Sequence, residues 1–365
     1  MSRYRYSHNT GYWVSWAVTV LVLAALVLGV LYMLNTSPVV ARYTVSSAKL
    51  EPGQSLRIVM LSDLNDKIYG KDQSQLIKMV TDQHPDLICL VGDIANRPQD
   101  EAPSTSIYTL PPTLASGAAT PTTTAPPTTT APPATTVAPT TGSGSEGEGA
   151  STPSVPVSLK GGGADLLLAG IAHLAPVYYT TGSGDADSED LSAIYTLMKS
   201  YGVTILSDTY RTRQINGIKV LIAGLDDPII RARTSPDSVG ATMDKHFLNL
   251  YSLDAFKLLL ANRPEFSSTY NQYTFDLALS GHADGGVVRI PGLLNGIYAP
   301  DQGFFPAYAG GLYQYDTMTH IVGRGLDNTV NFPRIFNRFE VVVVDVVPLA
   351  GSTPFVTTTA ATTAG

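Results

Sequence analysis

A single cysteine, two tryptophans and six histidines in 365 residues leave little material for several common chemistries. Cys89, in the apolar run DLICLVGD, has no partner thiol, which excludes an internal disulfide framework and a cysteine-built zinc site. Its surroundings predict a buried, unpaired core thiol. The scarcity assigns no redox compartment, because extracellular domains can also lack cysteine. There is no basic surplus either: 23 Lys and Arg against 30 Asp and Glu give a formal charge of −7. A nucleic-acid partner is therefore not expected, since such binding rests on neutralising phosphates with clustered cations.

Charge is also missing, locally, from YWVSWAVTVLVLAALVLGVLYML at 12–34. As a helix this run is long enough to cross a hydrocarbon core of roughly 30 Å. Trp13 and Trp16 near one end and Tyr32 near the other fit the two interfacial belts, and no small-residue cleavage site follows. The expectation is a retained single-pass anchor rather than a cleaved signal peptide, after a short N-terminal segment at 1–11. Arg3 and Arg5 before the span nearly balance Arg42 and Lys49 after it, so basic residues alone do not orient it.

A second kind of poverty marks TPTTTAPPTTTAPPATTVAPTT at 120–141, which repeats TTTAPP and has no aromatic or large aliphatic group beyond one valine. Such a segment cannot offset the entropy of ordering a chain. With its flanks it predicts a disordered Thr/Pro/Gly-rich insertion at 98–163, far longer than an ordinary connection inside a domain. The tail at 348–365 has the same character. Thr/Pro tracts are common in surface-exposed stalks, which favours an extracytoplasmic folded domain. The glycines of GSGSEGEG match G-x-G-x-x-G at 142–147, but no strand precedes them and no helix follows, so they carry no nucleotide loop.

What remains, 45–97 and 164–347, is enough for one sizeable α/β core. Apolar runs bounded by turn residues predict strands at 56–61, 86–92, 176–181, 203–206, 219–224, 276–281 and 340–347, with helices at 73–83 and 188–202 between them. Polar residues follow the strands: Asp63 and Asn65, then Asp93, then Ser183 and Asp185, then His282 and Asp284. Groups gathered at strand ends are the usual way an α/β sheet builds a site.

The segments LRIVMLSDLND, PDLICLVGDIAN, APVYYTTGS, KVLIAGLDDP, LLLANRPEF, LALSGHADGGVVRIPG, YAPDQGFFPAYAGGLYQ and VGRGLDNTVNFPRIFNRFEVVVVDV occur in an order that resembles the calcineurin-like metallophosphoesterases, in their membrane-associated bacterial branch. The resemblance implies a four-layer sandwich of two mixed sheets flanked by helices. It also implies two metal ions that activate a bridging water for phosphoester hydrolysis.

On that resemblance the metal-ligand positions are Asp63, Asn65, Asp93, Ser183, Asn262, His282 and Asp284. Only Asp63, Asp93 and His282 keep the family's residue. Asn65, Asn262 and Asp284 stand where the family has histidine, and Ser183 where it has asparagine. Gly184 stands at the family's catalytic histidine position, with Asp185 after it, so no catalytic residue is assigned. The remaining oxygen donors suit one divalent cation, Mg²⁺, Mn²⁺ or Ca²⁺, better than a transition-metal pair. The carboxylates of DLNDKIYG do not form a calcium loop, because Lys67 and Ile68 fall where that loop needs an oxygen ligand and glycine.

Three functions stay open: a membrane-anchored metallophosphoesterase-fold protein with hydrolase activity lost or strongly reduced, an active metal-dependent phosphoesterase with an oxygen-rich site, and a surface stalk or scaffold. The expected partners are the membrane, through the N-terminal helix, and a phosphoester ligand.

Overall fold

The computed structural model describes residues 8–95, 159–187, 191–234, 238–330 and 332–349. Most of the expected Thr/Pro/Gly-rich insertion and nearly all of the tail lie outside the described residues. In the first half of the chain come α1 (His8–Met33), β1 (Val39–Ser47), β2 (Leu56–Leu61), α2 (Ser74–Thr81), β3 (Leu87–Val91), α3 (Gly163–Ile171), β4 (Val177–Thr180), α4 (Ser183–Asp187), α5 (Leu191–Ser200) and β5 (Thr204–Ile205). The second half adds β6 (Thr209–Ile215), β7 (Ile218–Leu225), α6 (Pro228–Thr234), α7 (Val239–Phe247), β8 (Phe256–Ala261), α8 (Ser267–Tyr270) and β9 (Leu277–Ser280). A hairpin of β10 (Tyr298–Ala299) and β11 (Gly303–Phe304) follows, then β12 (Gly311–Gln314), β13 (Thr319–Val322) and β14 (Glu340–Pro348).

Two six-stranded sheets result, ordered β1-β14-β2-β3-β4-β5 and β12-β13-β9-β8-β7-β6. Within the first, β2, β3, β4 and β5 run parallel, as do β7, β8, β9 and β13 in the second. Every residue of β3 and β8 is buried, which is why both read as unbroken apolar runs rather than alternating ones. Ile58, Met60, Cys89, Val344, Ile222, Leu258 and Leu279 meet in one core between the sheets. On the outer face of the first sheet, α2, α3 and α5 bury Leu76 and Val80, Leu167 and Leu168, and Ile194 and Leu197. On the outer face of the second, α7 buries Met243 and Phe247. The layers are thus helix, sheet, sheet, helix, a mixed α/β sandwich of the kind the sequence predicts.

The structure moves some boundaries. β1 starts ahead of residue 45, because it pairs along its whole length with β14 from Val39↔Glu340 onward. At the other break, α3 opens at Gly163, and Gly162 and Gly163 pack on Asp66, whose carboxylate accepts the Ala164 N–H at 2.7 Å. That contact builds the last residues of the expected insertion into the domain. The helix expected at 188–202 is α5, described from Leu191. β1, β6, β8 and β10 to β13 were not among the strands read from the sequence.

The stretch Tyr12–Met33 of α1 is apolar all round and, apart from the Tyr32–Phe336 contact, exposed among the described residues. By length and composition it meets the requirement of a membrane span, and equally that of a signal sequence.

Candidate metal centre at the strand ends

The parallel strands of both sheets deliver their C-terminal ends to one edge. Main-chain hydrogen bonds lock the turns there: Asp63 N–H to Gly92 O (3.1 Å), Asn65 N–H to Asp93 O (2.9 Å), Gly92 N–H to Thr180 O (3.0 Å) and Leu326 N–H to Ser62 O (3.0 Å). The sheets are joined across the edge by the His282 N–H, which donates to both Asp63 oxygens at 3.1 and 3.2 Å. Asp63, Asn65, Asp93, His282 and Asp284 all have positive φ, between 47° and 66°. Such backbone is sparsely populated by residues with a side chain and persists where surrounding structure enforces it, often at functional sites. Gly182 is required by closeness: a Cβ there would lie 2.5 Å from the Asp93 carboxylate.

Asp93 Oδ1 accepts the N–H groups of Gly184 (2.6 Å) and Asp185 (3.1 Å), and Ser183 Oγ reaches Asp93 Oδ2 at 3.4 Å. In return Asp185 Oδ2 accepts from Asp93 N–H and Gly182 N–H, both at 2.8 Å. Asp185 is therefore a structural member of the edge. Burial pushes Asp63 and Asp185 up to about 6, the first reinforced by the Asp284 carboxylate. Burial raises Asp93 well above the usual carboxylate range, with the Asp185 and Asp63 charges adding to it. These three carboxyls share a space where negative charge is expensive.

Two arginines that sequence reading did not single out enter the same edge. Arg334 is wholly buried and donates to Asp284 Oδ1 at 2.9 Å, while Thr329 Oγ1 and its N–H hold Asp284 Oδ2. Arg263, directly after Asn262, donates through Nε to Asp227 Oδ2 at 2.6 Å and through Nη1 to Asp301. Its Nη1 also lies 3.1 Å from His282 Nε2, which is 2.7 Å from Asp301 Oδ2. Arg263 carries only donors, so Asp301 accepts from the guanidinium and from the imidazole, which assigns the Nε2 proton to His282. Burial and the Arg263 charge act to lower the His282 pKa, but the Asp301 hydrogen bond and the Glu265 and Asp301 charges outweigh them and the net shift is upward. Asp301 is held down at about 2, chiefly by that hydrogen bond.

The structure brings Asp63, Asp93, Ser183 and His282 into direct contact, the last two through Ser183 Oγ and His282 Nδ1 at 3.3 Å. Asn262 lies beside them: its amide donates to Val91 O at 3.2 Å, and its Oδ1 is buried with no hydrogen-bond partner. Asn65 is tied in through its backbone, and Gly184 through its N–H. Asp284 is turned toward Arg334. His320 is buried between Ser267 Oγ (2.7 Å) and Ser280 Oγ (2.8 Å) and is structural.

The donors gathered here are mainly oxygens rather than the imidazoles that transition ions prefer. Asp284 is committed to a buried guanidinium, His282 turns Nδ1 toward Ser183 and Nε2 toward Asp301, and among the described residues no group of three or more His, Cys, Asp or Glu is arranged to hold one metal ion. Arg263 and Asp301 could have been suspected from NRPEF and YAPDQ, charged residues directly after a buried strand and in a tight turn. Nothing in the sequence marks Arg334 as buried.

In sequence the chain is similar to a metallophosphoesterase. Over 141 residues the chain is 34% identical to the uncharacterized metallophosphoesterase YkuE of Bacillus subtilis (strain 168), a match covering 38% of this chain and 45% of that protein. That relative bears out the family resemblance, and the matched part spans less than half of its length. No family model matches the chain. Among solved structures, the NAD nucleotidase NadN of Haemophilus influenzae aligns over 76% of this chain and 46% of its own, at 12% identity and a TM-score of 0.43. The sulfate thiohydrolase SoxB of Thermus thermophilus, in complex with glycerol, aligns over 76% and 53% at 8% identity and a TM-score of 0.41.

Proposed function

We propose that this chain is a membrane-anchored metallophosphoesterase-fold protein whose hydrolase activity is lost or strongly reduced, with its folded domain outside the cytoplasm as a binding or scaffold module. One observation carries the reading: buried guanidinium groups stand against the candidate ligands, Arg334 on Asp284 and Arg263 beside His282. A fixed positive charge next to a ligand position repels a divalent ion, and at 4 Å two unit charges interact by roughly 4 kcal/mol at an effective dielectric of 20. Losing an imidazole from each site also removes the donors that transition metals prefer. Support for the exterior location comes from the Thr/Pro tracts at 120–141 and in the tail.

The test is metal analysis of the purified full chain after equilibration with Mn²⁺ and Zn²⁺, with hydrolysis of a generic aryl phosphodiester. The expected result is less than one tightly held transition ion per chain and a hydrolysis rate unchanged by Asp93→Ala. Two tightly held ions, or hydrolysis abolished by Asp93→Ala, overturns the proposal.

One observation favours the second reading, an oxygen-rich site for a single hard cation. Asn262 Oδ1 is buried without a partner beside Asp93, and burial raises Asp93 and Asp63 as in a site lacking neutralising charge. Mg²⁺, Mn²⁺ or Ca²⁺ would be held by Asp63, Asp93 and Asn262. Saturable Mg²⁺ binding lost in Asn262→Leu, with the thermal transition retained, would establish it.

A further inference from the structure

The end of α1 does not hang free of the domain. Phe336 N–H donates to Met33 O at 2.8 Å, and the Tyr32 and Phe336 rings meet edge-to-face with centroids 6.0 Å apart. Arg338 Nε donates to Ser37 O at 2.9 Å, and Val39 N–H to Phe339 O at 2.9 Å, where β1 begins. β1 and β14 run parallel from Val39↔Glu340, whereas β14 is antiparallel to β2, with Val342 opposite Met60. The start of β1 therefore lies at the C-terminal end of β2, the edge that carries Asp63. Glu340 N–H to Gly325 O (3.1 Å) and Leu326 N–H to Ser62 O (3.0 Å) close that connection. Helix α1 thus enters the domain on the edge where the candidate site opens.

A rim of exposed apolar side chains is joined to the same place. Ile335, next to Phe336, bridges Val288 and accepts the Arg289 N–H at 3.0 Å. Val288 O accepts from Ile297 N–H at 2.9 Å, and Ile297 O from Phe305 N–H at 2.7 Å. This rim presents Leu293, 81% exposed, Phe304, 73%, and Phe305, 70%, with Phe332 nearby in sequence to Ile335 also exposed. The Tyr298 and Phe304 rings pack edge-to-face at 5.6 Å. Between them, at the tip of the β10–β11 hairpin, Asp301 reaches back to His282 and Arg263. One hairpin therefore touches the candidate site through Asp301 and carries large aromatic side chains toward solvent. Single exposed apolar residues are ordinary, but a contiguous group of this kind marks an interaction surface.

We propose that this rim is a second membrane contact: Leu293, Phe304 and Phe305 seat in the interface of the leaflet that α1 enters, which places Asp301 and the strand-end edge beside it at headgroup level. The partner is a phospholipid bilayer, because the rim is continuous through Ile335 and Phe336 with a helix whose apolar surface, apart from that contact, no described part of the chain covers. Aromatic and leucine side chains favour that interface. The inference rests on α1 being a retained anchor.

The test uses the full chain in nanodiscs of phosphatidylcholine and phosphatidylglycerol at 3:1. Nitroxide labels are placed singly through Leu293→Cys, Phe304→Cys and Phe305→Cys, with Val22→Cys in α1 and Tyr251→Cys as references. Tyr251 is exposed in the segment leading into β8, at the opposite edge from Asn262. The native Cys89 is buried, so the parent chain serves as the unlabelled control. The expected result is that labels at 293, 304 and 305, like that at 22, are reached more by oxygen than by a water-soluble nickel chelate, with the reverse at 251. If 22 is lipid-exposed while 293, 304 and 305 all match 251, the rim contact is wrong and the anchor stands. If 22 itself is aqueous, the anchor reading fails and takes the rim contact with it.

Discussion

Arg334 and Asp284 face each other with no solvent at either side chain. Removing one partner of such a pair leaves a bare charge in the interior, a loss of about 3–5 kcal/mol, whereas replacing both with apolar groups is often neutral. Arg334→Met and Asp284→Leu are each expected to destabilise by about that amount in urea unfolding, and the double variant to recover most of it. Additive losses would show that the two do not act as a pair. His320 offers a pH test. Burial pushes it down to about 3, so the folded chain refuses a proton that the unfolded chain accepts below about 6.5. The stability is fully present above pH 6.5 and is lost as pH falls toward 3. Asp63 and Asp185, raised to about 6, act oppositely, since the folded chain protonates them first as pH falls. Comparing the native chain with His320→Gln cancels the carboxylates: the native chain should lose about 1.4 kcal/mol relative to the variant for each pH unit below about 6. A difference independent of pH would mean that His320 is not held neutral. Asp63, Asp93 and His282 were legible at this scale because each follows a buried strand. Arg334 was not, because an arginine in a Pro-containing loop is ordinarily solvated and only its partners can bury it.

Glycines decide how tightly the elements close. A Cβ at Gly281 would lie 2.6 Å from Asp63 Oδ2 and 2.7 Å from Ser62 Cβ, so the turn after β9 would be forced away from the turn after β2. Gly281→Ala is expected to cost about 1–3 kcal/mol of overpacking in chemical unfolding. In α7, by contrast, Gly240 has nothing within 4 Å of a built Cβ, and Gly240→Ala should stabilise by about 0.5–1 kcal/mol through helix propensity. If both substitutions behave alike, close approach at the site edge is not what selects Gly281. The strands the sequence predicts were those with long apolar runs between turn residues, such as β2, β3 and β14. β8 is as apolar, but it sits in a stretch with no flanking glycine on its N-terminal side, where length alone does not separate strand from helix. β6 exposes Arg211 and Arg213 as an antiparallel edge strand, so its polarity hid it.

Across the whole molecule, the end of α1, the strand-end site and the β10–β11 hairpin lie at one edge of the sandwich. If α1 is a retained anchor, the full chain should resist extraction from membranes by alkaline carbonate and be released by detergent, and Val22→Asp with Val27→Asp should release it into the carbonate fraction. Carbonate release of the native chain would refute anchoring. The core that holds this edge together is built of residues far apart in the chain: Met60 and Val342 pair across β2 and β14, and Ile58, Leu258 and Leu279 share the space between the sheets.

The order of apolar runs, the uncharged stretch at 12–34, the Thr/Pro repeats and the polar residues after each strand are local patterns, and local patterns determined the layered α/β class and most of the candidate positions. Which of those positions face one another is different in kind. Asp284 next to Arg334, His282 between Arg263 and Asp301, and the end of α1 at the edge that carries Asp63 each join segments from about 19 to 50 residues apart or more, set by strand order and by burial energy shared among many residues. Charge neutralisation inside a protein depends on distance through space, so folding alone decided that guanidinium groups stand where the family resemblance leads one to look for metal ions.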